Sequence, residues 1–220
     1  TPVRWLLAKI ISRNRAPVAQ KIYAEIGGRS PLLELSEAQS KALDERFANS
    51  DDIVRSVVCM RYWHPMSKAV AKAVAAFKPD RVVLLPLYPQ YSVTTSGSSM
   101  TDWYLAATAA GITAETLEIC CYPDDPGLIA AQVSLIRPHL EKAAVHGKPR
   151  VLFSAHGLPK KVIDAGDPYQ WQVERTSAAV AAALGQPDLD WVVSYQSKVG
   201  PLEWIGPSTD NEIARAGADG

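Results

Sequence analysis

The run that decides the fold is Arg150-Val151-Leu152-Phe153-Ser154-Ala155-His156-Gly157-Leu158-Pro159. Its first five residues, 150–154, contain the apolar run Val151-Leu152-Phe153 and predict a strand. An alanine-rich segment with helical spacing follows at residues 168–184, and a second strand-like segment follows at 190–195. A strand, a helix and a strand in this order predict two parallel strands covered by the helix that connects them.

The same alternation extends through the rest of the chain. We predict five more helices and three more strands. Ser36 and Ser67 are the expected N-caps of the second and third of these helices. Pro138 is expected to break or kink the last of them. The helices are expected at residues 5–26, 36–47, 67–77, 97–111 and 128–146, and the strands at 53–60, 81–87 and 115–120. The sequence therefore predicts an α/β protein in which parallel sheets are flanked by helices.

The pattern divides the chain into two similar halves. One strand–helix series ends and another begins between residues 111 and 126, so we place a first lobe at 1–115 and a second at 116–220. The first residues open directly on a helix, and residues 214–220 follow a segment that is typical of the middle of a domain. We therefore expect both lobes to be partial views of a longer protein.

Composition excludes several classes of protein. The 220 residues contain 23 basic and 23 acidic side chains, which is not the charge of a nucleic-acid-binding protein. No stretch approaches the roughly 20 apolar residues that a membrane-spanning helix needs. The 3 cysteines, two of them adjacent, do not make a disulfide framework and favour a reducing compartment, so we expect a cytoplasmic protein.

Chemically active side chains follow the predicted strands, where ligands bind in open α/β sheets. They are Arg61-Tyr62-Trp63-His64 after the first strand, Tyr88 to Ser99 after the second, His156 after the fourth and Gln196-Ser197-Lys198 after the last. Each has a plainer interpretation: an aromatic plug, a Ser/Thr capping loop, a structural histidine and a surface turn. A nucleophile elbow is absent, as are the C-x-x-C, H-E-x-x-H and G-x-G-x-x-G patterns.

Longer motifs decide between these interpretations. In their sequence and in their order along the chain they closely resemble the ferrochelatase family, from about residue 13 to residue 211. These motifs are Phe153 to Pro159, Gly166-Asp167-Pro168-Tyr169, Gln196 to Pro201 with Trp204 and Gly206 to Asp210, Leu87 to Ser92, Gly97-Ser98-Ser99, and Ile26 to Pro31. The resemblance implies a chelatase-like fold of two Rossmann-like lobes, incomplete at both ends here. It also implies a lyase of haem and porphyrin biosynthesis that inserts Fe²⁺ into protoporphyrin IX to form protohaem.

The resemblance assigns roles to individual residues. His156 matches the family's active-site histidine, which would accept a pyrrole proton or hand over the metal, together with a glutamate from a motif outside these residues. A rigid, proline-rich and aromatic pocket would bend the porphyrin so that its nitrogen lone pairs point out of plane. The remaining candidates for substrate binding are Arg15, Tyr23, Ser30, Arg61, Tyr62, Tyr88, Ser92, Gln196 and Lys198.

We expect no resident cofactor, because iron is the substrate. Val93 stands where some family members have a cluster-binding cysteine, so no [2Fe–2S] centre is expected from this portion. The expected partners are protoporphyrin IX and Fe²⁺, with peripheral membrane contact possible and no nucleic acid. Two alternatives stay open: a related chelatase for cobalt or nickel, and a tetrapyrrole-binding protein without catalysis.

Overall fold

The structure is a computed structural model that describes residues 2–219, and the side chains of these residues other than 2–4 and 7. The chain divides into two compact units, Thr1–Val70 and Ala71–Gly220. None of the described helices is long and apolar enough to cross a membrane. This division into compact units does not test the predicted boundary between two similar lobes at 115/116, which stays a prediction.

The first unit is helical. It contains α1 (Pro2–Ala24), α2 (Leu32–Phe47) and the first residues of α3 (Ser67–Phe77). The chain reverses after α1 because Gly27 and Gly28 have φ angles of +94° and +84°, which favour glycine. The Gly28 N–H then donates to the Tyr23 carbonyl at 2.7 Å, which closes the helix end.

The second unit contains two parallel two-stranded sheets with helices connecting their strands. The first sheet pairs β1 (Arg81–Leu84) with β2 (Glu115–Glu118), and the second pairs β3 (Arg150–His156) with β4 (Asp190–Gln196). The helices are α4 (Ser96–Ala109), α5 (Pro126–Ala144), α6 (Lys160–Asp164), α7 (Tyr169–Leu184) and α8 (Thr209–Asp219). The strand–helix–strand prediction for residues 150–195 is therefore confirmed.

The apolar core of the second unit lies where α5 and α7 pack together beside β3. Ile129 and Leu140 of α5 and Val180 and Leu184 of α7 are buried, and Phe153 of β3 packs against them. At the start of the sheet, the Arg150 guanidinium makes 2.7 Å ion pairs with Asp190 and Asp219. The parallel register runs from Arg150 opposite Asp190 to His156 opposite Gln196, so the carboxyl ends of both strands reach the same edge.

Several sequence predictions are corrected by the structure. Residues 53–60 do not form a strand: within the described chain they pair only through a bridge from Met60 to Met66. An apolar, β-branched run favours an extended backbone, but a strand also needs a partner at its edge. Two helices that we did not predict are present, α6 and α8.

Two details of helices were also wrong. Ser36 lies inside α2 and is buried; the hydroxyl near the helix start is Ser30 Oγ, which accepts from the Leu32 N–H at 3.3 Å. The expected break at Pro138 is absent, because α5 continues from Pro126 to Ala144, and a kink at Pro138 stays a prediction. Burial of Leu140 in the core favours the continuous helix over the cost of an internal proline, about 3 kcal/mol.

Candidate active site

The candidate site lies at the carboxyl edge of the β3–β4 sheet. His156 is the last residue of β3, and Gln196, its register partner, is the last residue of β4. The Gly157 N–H continues the ladder by donating to the Gln196 carbonyl at 2.8 Å. The structure therefore brings together two of the predicted site residues, His156 and Gln196, and leaves both side chains exposed.

The His156 ring is oriented by its own backbone neighbour. Its Nδ1 lies 2.7 Å from the Gly157 carbonyl oxygen. A carbonyl oxygen only accepts hydrogen bonds, so this contact requires a proton on Nδ1, and in the neutral ring the lone pair then lies on Nε2. A histidine whose other nitrogen is held this way can accept a proton or bind a metal ion through Nε2.

The segment before α8 forms one wall beside the histidine. Pro159 and Trp204 form an antiparallel bridge, and the Ile205 N–H donates to the Leu158 carbonyl at 3.0 Å. The Trp204 ring centre lies 6.5 Å from that of His156. A side chain at position 157 would be crowded, because an added Cβ would come within 3.1 Å of the Gln196 carbonyl oxygen and 3.2 Å of Trp204 Cε3.

The His156 backbone is held from the other side by Tyr169, the first residue of α7. The Tyr169 hydroxyl donates to the His156 carbonyl at 3.0 Å. Burial, together with the nearby Asp167 carboxylate, raises the pKa of the Tyr169 phenol. The phenol therefore keeps its proton at neutral pH and stays a hydrogen-bond donor.

The turn after β4 has a strained residue at its centre. Ser197 follows Gln196 with a φ of +70°, in the left-handed region that side chains other than glycine rarely adopt. The turn also places Lys198 in solvent. Such strain is concentrated at functional sites and turns, which is consistent with a ligand-binding role for Gln196 and Lys198.

The loop after β1 supplies one exposed and one buried candidate. Tyr88 is 57% exposed and can contact a ligand. Ser92 is fully buried, and its hydroxyl donates to Asp167 Oδ2 at 3.0 Å. In this structure the Ser92 hydroxyl supports the loop through Asp167, and its role in substrate binding stays a prediction.

The first unit contains the other predicted substrate-binding residues. The Arg61 guanidinium lies over the Tyr62 ring at 4.7 Å, with Tyr62 exposed. Arg15 and Tyr23 are exposed on α1. The chain turns at the end of α1, where the Gly28 N–H donates to the Tyr23 carbonyl, and Ser30 follows this turn. Ser30 lies just before α2, and its Oγ accepts from the Leu32 N–H at 3.3 Å.

The cysteines and other possible metal ligands are dispersed. Cys59, Cys120 and Cys121 are not joined by a disulfide. Among the residues that the structure describes, no three His, Cys, Asp or Glu side chains form a group that could hold a metal ion.

Sequence reasoning gave no role to two residues that shape the site, Asp167 and Tyr169. Both belong to a motif that carried the family resemblance, and this was the available signal. Their contacts with His156 and with the β1 loop depend on tertiary packing, so spacing along the chain could not assign them a role.

The fold and the site define an α/β protein with an imidazole presented at the carboxyl edge of a parallel sheet, among aromatic and amide side chains. Comparison with known proteins identifies the family: the model of the ferrochelatase family matches residues 1–220, and the chain belongs to that family.

Curated relatives agree with this assignment. A ferrochelatase of Phenylobacterium zucineum (strain HLK1) is 54% identical over 99% of this chain and 63% of its own length. A ferrochelatase of Caulobacter vibrioides (strain NA1000 / CB15N) is 52% identical over 99% of this chain and 62% of its own. One from Wolbachia sp. subsp. Drosophila simulans (strain wRi) is 47% identical, over 100% and 70%. The chain thus spans less than two thirds of the first two relatives.

Proposed function

We propose that the protein of which these residues form part is a ferrochelatase, a lyase that inserts Fe²⁺ into protoporphyrin IX. The reaction forms protohaem and releases the two pyrrole protons. Membership of the family supports the proposal. The observation that carries it is His156 at the end of β3, whose Nδ1 lies 2.7 Å from the Gly157 carbonyl oxygen, an arrangement that places the lone pair of the neutral ring on Nε2.

The chemistry needs a group that handles protons or iron beside the macrocycle. As a neutral imidazole, His156 can accept a pyrrole proton at Nε2 as a general base. The same lone pair can bind Fe²⁺ and release it to the porphyrin nitrogens, because imidazole is a suitable ligand for iron. The Tyr169 hydroxyl and the Gly157 carbonyl fix the residue, so no orientation has to be found during the reaction.

Porphyrin contact is proposed for the exposed candidates. Gln196 lies beside His156, and Tyr88 and Lys198 are exposed in loops of the same unit. In the first unit, the Arg61–Tyr62 pair offers a flat cationic surface. Arg15, Tyr23 and Ser30 suit the propionate groups, with charge from Arg15.

We propose further that this portion holds no [2Fe–2S] cluster and that the protein works in the cytoplasm. Valine at position 93 and the wide spacing of Cys59 from Cys120 and Cys121 support the first statement. Peripheral contact with an anionic bilayer is supported by α1. The support is electrostatic: this helix has five basic and no acidic residues, and it also exposes Trp5 (63%) and Leu6 (56%).

The test is anaerobic insertion of Fe²⁺ into protoporphyrin IX by the full-length protein, with His156→Ala as the variant. We expect turnover to fall about 10²-fold or more while porphyrin still binds, since the variant lacks the proton or metal acceptor. His146→Ala is the matched control, because His146 is an exposed histidine just after α5. Equal turnover in His156→Ala and His146→Ala would contradict the proposed role, and insertion of Co²⁺ or Ni²⁺ in preference to Fe²⁺ would contradict the substrate.

A further inference from the structure

A buried carboxylate links the predicted site residues of the second unit. Asp167 is 8% exposed. Its Oδ2 accepts from the Ser92 hydroxyl at 3.0 Å and from the Val93 N–H at 2.8 Å. Its Oδ1 accepts from the Tyr169 N–H at 3.0 Å. Both oxygens of one carboxylate are therefore occupied by donors from two different parts of the fold.

These two parts are the ones that contain the catalytic candidates. The Oδ2 contacts hold the loop after β1, which contains Tyr88. The Oδ1 contact holds the backbone of Tyr169, whose hydroxyl in turn donates to the His156 carbonyl. One side chain thus connects the β1 loop to the backbone of His156 through four hydrogen bonds.

The start of α7 strengthens the same connection. Gln172 Oε1 accepts from the Tyr91 N–H at 2.7 Å, and Thr176 Oγ1 accepts from Gln90 Nε2 at 2.8 Å. Both residues are buried. The β1 loop is therefore held at each residue from Gln90 to Val93, and Asp167 adds the contact with Tyr169.

We propose that Asp167 is a positioning residue for iron insertion: it sets the place of His156 relative to the β1 loop through Tyr169 and Ser92. The inference rests on the proposed function for its kinetic consequence, but the placement of His156 is measurable without it. Asp167 does not itself touch the substrate, because its carboxylate is buried and bonded to protein donors.

The isosteric variant Asp167→Asn tests this role with little change in volume. An amide offers one acceptor oxygen and one NH₂ donor, whereas the site supplies N–H donors on both sides. If the amide oxygen faces Val93, the NH₂ opposes the Tyr169 N–H. If it is turned over, the NH₂ opposes the Val93 N–H. In either orientation one half of the connection is lost.

The experiment compares the full-length wild type with Asp167→Asn and with Ser177→Ala as the matched control. Ser177 is buried in α7, and its hydroxyl bonds to the Val173 carbonyl within the same helix. Turnover is measured per bound porphyrin, so that unfolded protein does not count. We expect kcat to fall about tenfold or more in Asp167→Asn, as for other residues that orient a functional histidine, with KM within about twofold. Ser177→Ala should stay within about twofold of the wild type.

Tyr169→Phe tests the connection itself, because it removes the hydroxyl that holds the His156 carbonyl. If Asp167 acts partly through Tyr169, the two substitutions share part of their effect. The fold-loss of kcat in the double variant Asp167→Asn/Tyr169→Phe is then smaller than the product of the two single fold-losses. Fully multiplicative losses, an effect on KM alone, or equal kcat values in Asp167→Asn and Ser177→Ala would each overturn the proposal.

A second measurement separates this proposal from the proposed function. The ¹⁵N signals of the His156 ring should shift in Asp167→Asn and stay in place in Ser177→Ala, whether or not the protein forms haem. A wild type that forms no haem would refute the proposed function only. An unshifted His156 signal in Asp167→Asn would refute the positioning role.

Discussion

Replacing Gly157 by alanine adds one methyl group at the tightest point beside the candidate histidine. The new Cβ would meet the Gln196 carbonyl oxygen at 3.1 Å and Trp204 Cε3 at 3.2 Å. Neither neighbour moves easily: the Gln196 oxygen accepts the Gly157 N–H at 2.8 Å, and Trp204 is held by its bridge to Pro159. Both contacts are shorter than ordinary van der Waals separation, so the chain must shift.

Overpacking of this kind costs about 1–3 kcal/mol. We expect Gly157→Ala to lower the free energy of unfolding in urea by that amount, with an unchanged slope against urea concentration. Iron insertion should fall as well, because the displaced atoms adjoin His156. The control is Gly217→Ala in α8, where nothing lies within 4 Å of an added Cβ and alanine should stabilise the helix by about 0.5–1 kcal/mol. A Gly157→Ala protein as stable as the wild type would refute the tight packing described here.

Two further predictions concern a buried phenol and a helix surface. Tyr195 is buried with no hydrogen-bond partner for its hydroxyl among the described residues, and burial raises its pKa far above the usual value. The folded state therefore binds more protons than the unfolded state above about pH 10, so stability falls as pH rises through that range. At pH 7, Tyr195→Phe should unfold at a urea concentration no lower than that of the wild type. Above pH 10 it should lose less stability than the wild type, and an equal loss of stability in the two proteins would contradict this. For α1, the full-length protein should sediment with phosphatidylglycerol vesicles and not with phosphatidylcholine vesicles. Trp5→Ala should weaken this binding several-fold while Trp171→Ala, at an exposed tryptophan of α7, leaves it unchanged; equal weakening by both would argue against α1 as the contact.

Local sequence determined much of the fold. The limits of α3 agree with the prediction at both ends, and β3 and β4 begin where predicted, at Arg150 and Asp190. Apolar spacing is a local property, and in these segments the burial pattern agrees with it. Residues 53–60 show the limit of the method, since extended backbone becomes a strand only where a distant segment supplies a partner. The helix α6 has 5 residues, too few to show a periodic pattern.

The candidate site was partly predictable for a similar reason. Parallel strands end at the same edge, so the sequence could place His156 beside Gln196. It could not show that the Ser92 hydroxyl turns inward to Asp167, or that Tyr169 bonds to the His156 carbonyl. These contacts join residues 75 and 13 positions apart through a packed helix, and nothing in local spacing specifies them.

The central claim is that His156 presents a free Nε2 at the edge of the β3–β4 sheet. It is tested most directly by ¹⁵N NMR of the full-length protein labelled at histidine, above the pH at which imidazole is protonated, with the His156 signals identified by their loss in His156→Ala. The account predicts a proton on Nδ1, and selective broadening of the Nε2 signal when Fe²⁺ is added under anaerobic conditions. A proton on Nε2, or a His156 signal that does not respond to Fe²⁺ or to porphyrin, would contradict it.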